Sequence, residues 1–212
     1  MIEVNNLTKK FGNTTSLDDV SVSFKEGDHV ALMGPNGAGK TTLIRLILGY
    51  YIPNGGGVFI DGLNPMTSRV EVLKNISFVP QLPPPIKLSL EELINYIVVS
   101  SGTPKERIYH YAKEMELDLE PNLTKSFFKL SGGMKQKLLI AISLANTGNI
   151  SIYDEPTANL DPKARENFYR LLKENDEKKI SLFVTHRLDE LDGIINRQIY
   201  MDLGKIVSDE KI

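Results

Sequence analysis

The sequence predicts an α/β fold: a parallel sheet covered by helices, with an N-terminal antiparallel β subdomain and an inserted helical subdomain. Three patterns predict it. Short apolar strand-like runs alternate with helical stretches from residue 131 onward, which implies parallel strands joined by helical crossovers. Near the start, the buried strand His29-Val30-Ala31-Leu32-Met33 runs into a glycine-rich turn and then an apolar helix. Between them, residues 82–130 change character after Pro83-Pro84-Pro85 and become mainly helical. A single domain over residues 1–212 is expected, since one core extends to about 250 residues. Residues 1–81 and 131–212 form its core and antiparallel β subdomain, and 82–130 its helical subdomain.

Ile2–Val4 and Val20–Phe24 read as edge strands, with turns at Gly12-Asn13 and Glu26-Gly27-Asp28. After the strand His29–Met33, Thr41 to Leu48 reads as helix. Val58-Phe59-Ile60 is a strand ended by Asp61-Gly62, and Ile76–Val79 is another. Ser89 caps a helix through Val99, with Glu91 and Glu92 in the first turn, where the helix dipole favours anions. A second helix runs from Pro104 to Met115. Leu138–Ala145 is helix, Ile150–Tyr153 strand, Pro162–Asn175 helix and Ile180–Val184 strand. Leu188–Leu191 begins a short helix, and Gln198–Met201 with Lys205–Val207 form a hairpin around Leu203-Gly204.

Composition narrows the function classes. The chain is 41% hydrophobic and 25% charged, enough for a sizeable core, and its formal net charge is −2. Without a basic excess or a Lys/Arg block, a nucleic-acid partner is not expected. The chain has no cysteine, which excludes disulfides, thiolate metal sites and cysteine catalysis, and fits a reducing compartment. Met1-Ile2-Glu3-Val4 does not resemble a secretory leader. The longest helical apolar run, Leu138–Ala145, is far short of the roughly 18–20 residues that span a bilayer. The expectation is a soluble chain that reaches membranes only through a partner.

Gly34-Pro35-Asn36-Gly37-Ala38-Gly39-Lys40-Thr41-Thr42 matches G-x-x-x-x-G-K-[ST], the phosphate-binding P-loop, in its proper place between strand and helix. Small residues let backbone N–H groups from Asn36 through Gly37, Ala38 and Gly39 to Thr41 curl around phosphates. The helix N-terminus adds partial positive charge. Lys40 reaches the β- and γ-phosphates, the Thr41 hydroxyl suits Mg²⁺, and Thr42 the α-phosphate region. Ile150-Ser151-Ile152-Tyr153-Asp154-Glu155-Pro156 is an apolar strand ending in two acids. Asp154 falls at its carboxyl end, where open α/β sheets bind ligands, and can hold Mg²⁺ through water. Glu155 can polarise an attacking water, a role worth about 10²–10⁴ in rate.

Leu130-Ser131-Gly132-Gly133-Met134-Lys135-Gln136-Lys137 resembles the signature motif of ABC-type ATPases. The resemblance covers essentially the whole chain. Phe11 takes the position of the aromatic that stacks on adenine, and Gln81 that of the Q-loop glutamine, which contacts Mg²⁺ or the attacking water. Asp154 and Glu155 resemble the Walker B aspartate and catalytic glutamate, Asn159-Leu160-Asp161 the D-loop, and Thr185-His186 the switch histidine. The resemblance implies a homodimer, or a pair with a similar subunit, sandwiching two ATP molecules with Mg²⁺. Ser131, Gly132 and Gly133 would serve the partner's nucleotide, and Asp161 would couple the two sites. The catalytic set is Glu155, His186 and Gln81, and the metal set Thr41, Gln81 and Asp154. His29 begins a strand and His110 lies on a helix between two tyrosines; both read as structural.

The chain departs from the family pattern at Met134, where glutamine is usual, and at Lys137, where arginine is. Met134 can pack but offers no amide. The gap from Gln81 to Ser131 is 50 residues, too short for the coiled coil of repair ATPases. The resemblance therefore implies the motor subunit of an ABC transporter, cytoplasmic and held on the inner face of the membrane by permease subunits, of bacterial exporter type. The alternative is a soluble scaffold component of iron–sulfur assembly. Leu82, Pro83–Pro85, Ile86, Leu88 and the face around Leu93 and Tyr96 are expected to line a groove for a permease helix.

Overall fold

The computed structural model describes residues 1–174 and 178–212. They form two compact units. One holds residues 1–76, 149–152 and 178–212; the other holds 77–148 and 153–174.

In the first unit, β1 (Ile2–Phe11) and β2 (Thr14–Phe24) pair antiparallel, with Ile2 opposite Phe24 and Val4 opposite Val22. β3 (His29–Met33) is followed by α1 (Lys40–Ile47). β4 (Gly55–Ile60) then returns to the other side of β1, placing Ile60 opposite Ile2 and Val58 opposite Val4. β1 is therefore the central strand of its sheet and not an edge, and both β1 and β2 are far longer than their apolar runs. Asn6 and Asp19 take left-handed φ of 47° and 55°. The Asn6 amide also donates to Asp19 Oδ1 at 3.0 Å, so the two strands bulge together and resume. That irregularity destroys the period-two alternation on which a strand reading rests.

α2 (Arg69–Lys74), a six-residue helix that the sequence did not suggest, leads to β5 (Ile76–Val79). β6 (Ile150–Asp154) and β7 (Ile180–Val184) are buried throughout; β8 (Arg197–Asp202) and β9 (Lys205–Lys211) close the chain as a hairpin. The sheet order is β5-β6-β7-β3-β8-β9. β3 pairs in parallel with β7, from His29–Ser181 to Leu32–Val184, and with β8, from Val30–Arg197 to Met33–Tyr200. Arg197 links the two sheets of this unit. Its guanidinium donates to the Ser23 carbonyl of β2 at 2.8 Å and pairs with Asp28 at 2.9 Å and Asp209 at 2.6 Å.

The second unit is helical. α3 (Leu90–Ser101), α4 (Lys105–Glu114), α5 (Gly132–Ala145) and α6 (Pro162–Lys173) are its helices. Asn175, the last residue of the sequence-based helix over 162–175, lies outside the described residues. Ser89 and Glu92 form a reciprocal capping box at the start of α3. Leu90, Ile94, Ile108, Phe127, Leu138 and Ala141 make the core between α3, α4 and α5.

One expectation needs correction. Leu93 is 5% exposed and belongs to this core, beside Leu90 and Ile94, so it lines no surface groove. Tyr96, Val99 and Leu82 are the outward apolar groups, at 61%, 86% and 75% exposure. The buried face of α3 is centred on Leu90, Ile94 and Ile97, so Leu93 falls inside it while Tyr96, about 60° further round the helix, falls past its edge.

Removing a buried aromatic should outweigh removing a cap. Phe127→Ala is expected to destabilise the chain by about 3–5 kcal/mol, and Ser89→Ala by about 1 kcal/mol. Urea unfolding of both variants checks the order.

Candidate functional site

The first unit builds a phosphate cradle at the carboxyl end of β3. Gly34 has φ of 134°, and a Cβ there would meet the Met201 carbonyl oxygen at 2.0 Å, so only glycine fits. Gly39, the N-cap of α1, has φ of 102° and would place a Cβ 2.6 Å from the Ser16 carbonyl oxygen. These glycines let the backbone reverse into α1 with its amides at the turn. The loop is anchored from outside. The Gly204 amide donates to the Ala38 carbonyl at 3.1 Å, and Ser16 and Thr42 hydroxyls hydrogen-bond at 2.8 Å.

The first turn of α1 carries no acidic side chain, so nothing on that turn cancels the helix's positive end. Lys40 is 7% exposed, and its ammonium donates to the carbonyls of Gly34 at 2.6 Å and Pro35 at 2.9 Å. Those bonds keep a buried cation solvated on the loop itself.

Phe11, at the end of β1, is half exposed and meets Tyr51 edge-on, with ring centres 5.2 Å apart. Lys9 lies 4.9 Å from the Phe11 ring centre and 5.7 Å from that of Tyr51, while donating to the Ile52 carbonyl at 2.7 Å. Arg45 donates to the Tyr51 hydroxyl at 2.7 Å. The ring is thus an aromatic surface braced from one side, a form suited to stacking a base. Thr185 and His186 follow β7, the parallel neighbour of β3. Leu32 pairs with Val184, so Gly34 and exposed His186 each stand two residues past the same rung.

The second unit holds the other predicted residues. Asp154 is buried at the end of β6, and Glu155 follows with φ of 48°, an unusual conformation for a side chain of its size. Gln81 is exposed. Ser131 caps α5, accepting from the Met134 amide at 3.2 Å, and Gly132 and Gly133 form the helix's first turn. A Cβ on Gly133 would lie 3.4 Å from the Asn159 carbonyl oxygen, so signature and D-loop segments abut within this unit. Met134 packs against the helical core. Asp161 caps α6 through the Ala164 amide at 2.8 Å and pairs with Lys137 at 3.0 Å. The Ala164 amide first, then the Lys137 ammonium, hold the Asp161 carboxyl below its usual range.

Three comparisons bear on identity. The family model described as ABC transporter matches residues 17–158. The chain belongs to the ABC transporter family. The Fe(3+) ions import ATP-binding protein FbpC of Photorhabdus laumondii is 35% identical over 97% of this chain and 60% of its own length. The SkfA peptide export ATP-binding protein SkfE of Bacillus subtilis is 33% identical over 99% of this chain and 88% of its own. A solved ATP-binding cassette, dimeric in a post-hydrolysis state with ADP and Pi, has a TM-score of 0.83 and 30% identity over 100% of this chain and 98% of its own. The chain spans about 60% of the length of the first curated relatives it matches.

Several residues of this ABC family member escaped the sequence reading. Tyr51, 40 residues away, and Lys9 brace Phe11, Arg45 holds Tyr51 from 6 residues away, and Ser16 reaches Thr42 across 26. Nothing local marks them; only the closing of β1, β2 and α1 into one unit does. Gln136 lay inside the quoted signature, and its burial gives it a purpose that its letter alone did not.

The Lys137–Asp161 pair predicts a pH dependence. A carboxyl whose folded pKa is depressed contributes stability above its unfolded pKa of about 3.9, and loses it as pH falls through the folded value. Asp161→Asn keeps a good cap but no charge. Its melting temperature should fall below wild type at pH 6, and the two should converge below about pH 4. Added salt should narrow the pH 6 gap. Thermal melts over a pH series check this.

Proposed function

We propose that the chain binds ATP with Mg²⁺ and hydrolyses it as the motor subunit of an ABC transporter, coupling nucleotide-driven dimer closure to movement of cargo through permease subunits. The single observation that carries the reading is the loop at residues 34–42: glycine-dependent backbone, helix N-terminus and buried Lys40 together. The dimeric relative with ADP and Pi supports paired sites. In this reading residues 1–212 are one ABC ATPase domain, with 82–130 as its helical subdomain.

Phosphoryl transfer asks the protein mainly for positioning and charge. Asn36, Gly37, Ala38, Gly39 and Thr41 donate backbone N–H groups to the phosphates, and Lys40 exchanges its loop carbonyls for phosphate oxygens. Thr42 holds the α-phosphate region, and Phe11 stacks on the base. Glu155 takes a proton from the attacking water, His186 donates to the γ-phosphate, and Gln81 reports nucleotide state through its loop. Ser131, Gly132 and Gly133 serve the partner's nucleotide, and Asp161 links the two sites.

The metal fits the donor set. Thr41, Gln81 and Asp154 offer only oxygen, as a hard cation prefers. Among the described residues no three His, Cys, Asp or Glu cluster as a cage. That favours a cation arriving on the nucleotide over one permanently resident. When bound, Mg²⁺ neutralises developing phosphate charge.

Among the described residues no helix is long and apolar enough to cross a membrane. Attachment to the inner face of the cell membrane then rests on the permease, for which exposed Leu82 and Tyr96 are the apolar contacts. The relatives work in both directions: one is an Fe(3+) ions import ATP-binding protein and another a SkfA peptide export ATP-binding protein.

ATP hydrolysis measured against protein concentration tests the reading. Activity should rise faster than linearly. Glu155→Gln should lower kcat by about 10²–10⁴ while retaining ATP binding, and Lys40→Ala should lose binding. A linear rate that survives Glu155→Gln would overturn it.

A further inference from the structure

One fully buried polar group in the second unit has no part in the proposed chemistry. Gln136 lies on α5 at 0% exposure. Its amide nitrogen donates to the Pro156 carbonyl at 3.0 Å and approaches the Pro80 carbonyl at 3.5 Å. Both neighbours are acceptors, so the nitrogen must face them and the oxygen must face away. The oxygen, Oε1, is buried with no hydrogen-bond partner among the described residues. An unsatisfied buried amide oxygen is destabilising, and replacing the whole side chain with an apolar one is often neutral or stabilising. On stability alone, leucine would serve this position as well.

What the amide holds explains its presence. The Pro80 carbonyl belongs to the peptide leading into Gln81. The Pro156 carbonyl lies within the turn that begins at Glu155, whose φ of 48° is left-handed. Such a conformation is strained for a non-glycine residue and persists only when its surroundings fix it. The turn's own bond, Ala158 N–H to the Glu155 carbonyl, is 3.3 Å, longer than the 3.0 Å bond that Gln136 makes to Pro156. One nitrogen therefore touches the peptides beside both the glutamine loop and the acidic turn, from a helix whose cap is Ser131.

We propose that Gln136 is a positioning residue that locks the left-handed turn at Glu155 and ties it to the Gln81 loop and the signature helix. The inference rests on the reading of Glu155 as general base. It makes the direction of Glu155 depend on where α5 and residue 81 stand, so nucleotide sensing and water activation share one side-chain amide.

Gln136→Leu separates this from a packing role, because it removes donor and unpartnered acceptor together. Hydrogen exchange of the amides at 155–160 should accelerate about tenfold or more, with α4 unchanged. The melting temperature should hold or rise. In hydrolysis, kcat should fall about tenfold while KM for ATP stays within about twofold, the pattern of a lost transition-state interaction. If Leu fails to fold, Gln136→Met, unbranched and of equal length, carries the same measurements. Unchanged exchange at 155–160 overturns the proposal whatever the ATPase does. So does a variant whose kcat, KM and melting temperature all worsen together, which is the mark of a packing defect. A hydrolytically active Glu155→Gln would sink the general-base reading instead, and the exchange result would still decide whether Gln136 holds the turn.

Discussion

Between Met33 and Lys40 the backbone has to leave a buried strand, reverse, and enter a helix while keeping its amides turned to one concave surface. Side chains forbid that path. A single methyl on Gly34 would penetrate the Met201 carbonyl, and one on Gly39 the Ser16 carbonyl. The elements around the loop are arranged to suit this constraint: β8 passes close enough for its carbonyl to fill the space a side chain would take, and the Gly204 turn hydrogen-bonds to Ala38. The cradle is rigid because it is packed on its outer side, and it is open because glycine leaves its inner side bare.

Lys40 shows how such a loop manages its charge. A buried ammonium is tolerable only when its protons have acceptors. The carbonyls of Gly34 and Pro35 supply them, and these are the residues whose conformation makes the cradle. Loop shape and lysine position are therefore mutually dependent, which is a physical reason for the fixed spacing between Gly34 and Lys40 in the motif. The substitution at the signature follows the same logic in a weaker form. Lys137 reaches Asp161 as a point charge at 3.0 Å, where the arginine of the family pattern could offer a two-pronged contact. The single contact leaves the other Asp161 oxygen to the Ala164 amide.

What the sequence made legible was the chemistry carried by contiguous letters. The P-loop, the Asp154-Glu155 pair and the Ser89 cap all act through neighbours within a few residues, and the structure puts each at the element end its motif implies. The strands β1 and β2 were legible only in part, because paired bulges at Asn6 and Asp19 interrupt an alternation that resumes beyond them. Leu93 and Tyr96 were read as one face, because i and i+3 are helix neighbours; the boundary between core and surface falls in the roughly 60° between them, and only packing against α4 and α5 sets where it falls. The bracing of Phe11 by Tyr51 and Lys9, and of Thr42 by Ser16, was not legible at all. Those contacts depend on which strands lie side by side, and no local pattern encodes that.

Gln136 joins these themes. Its letter stood in the motif, yet motif logic assigns work to groups that touch phosphate, and Gln136 is fully buried. The physical signal is the imbalance it creates, an amide whose nitrogen is used and whose oxygen is not. A core selected for stability alone would shed that imbalance, since an apolar side chain of similar size avoids it. Its place beside a left-handed Glu155 points to turn geometry, more than packing, as what this side chain serves. Strain at the acidic turn and the unpaired oxygen on α5 are then two faces of one arrangement: stability is surrendered at both so that a carboxylate keeps a single direction.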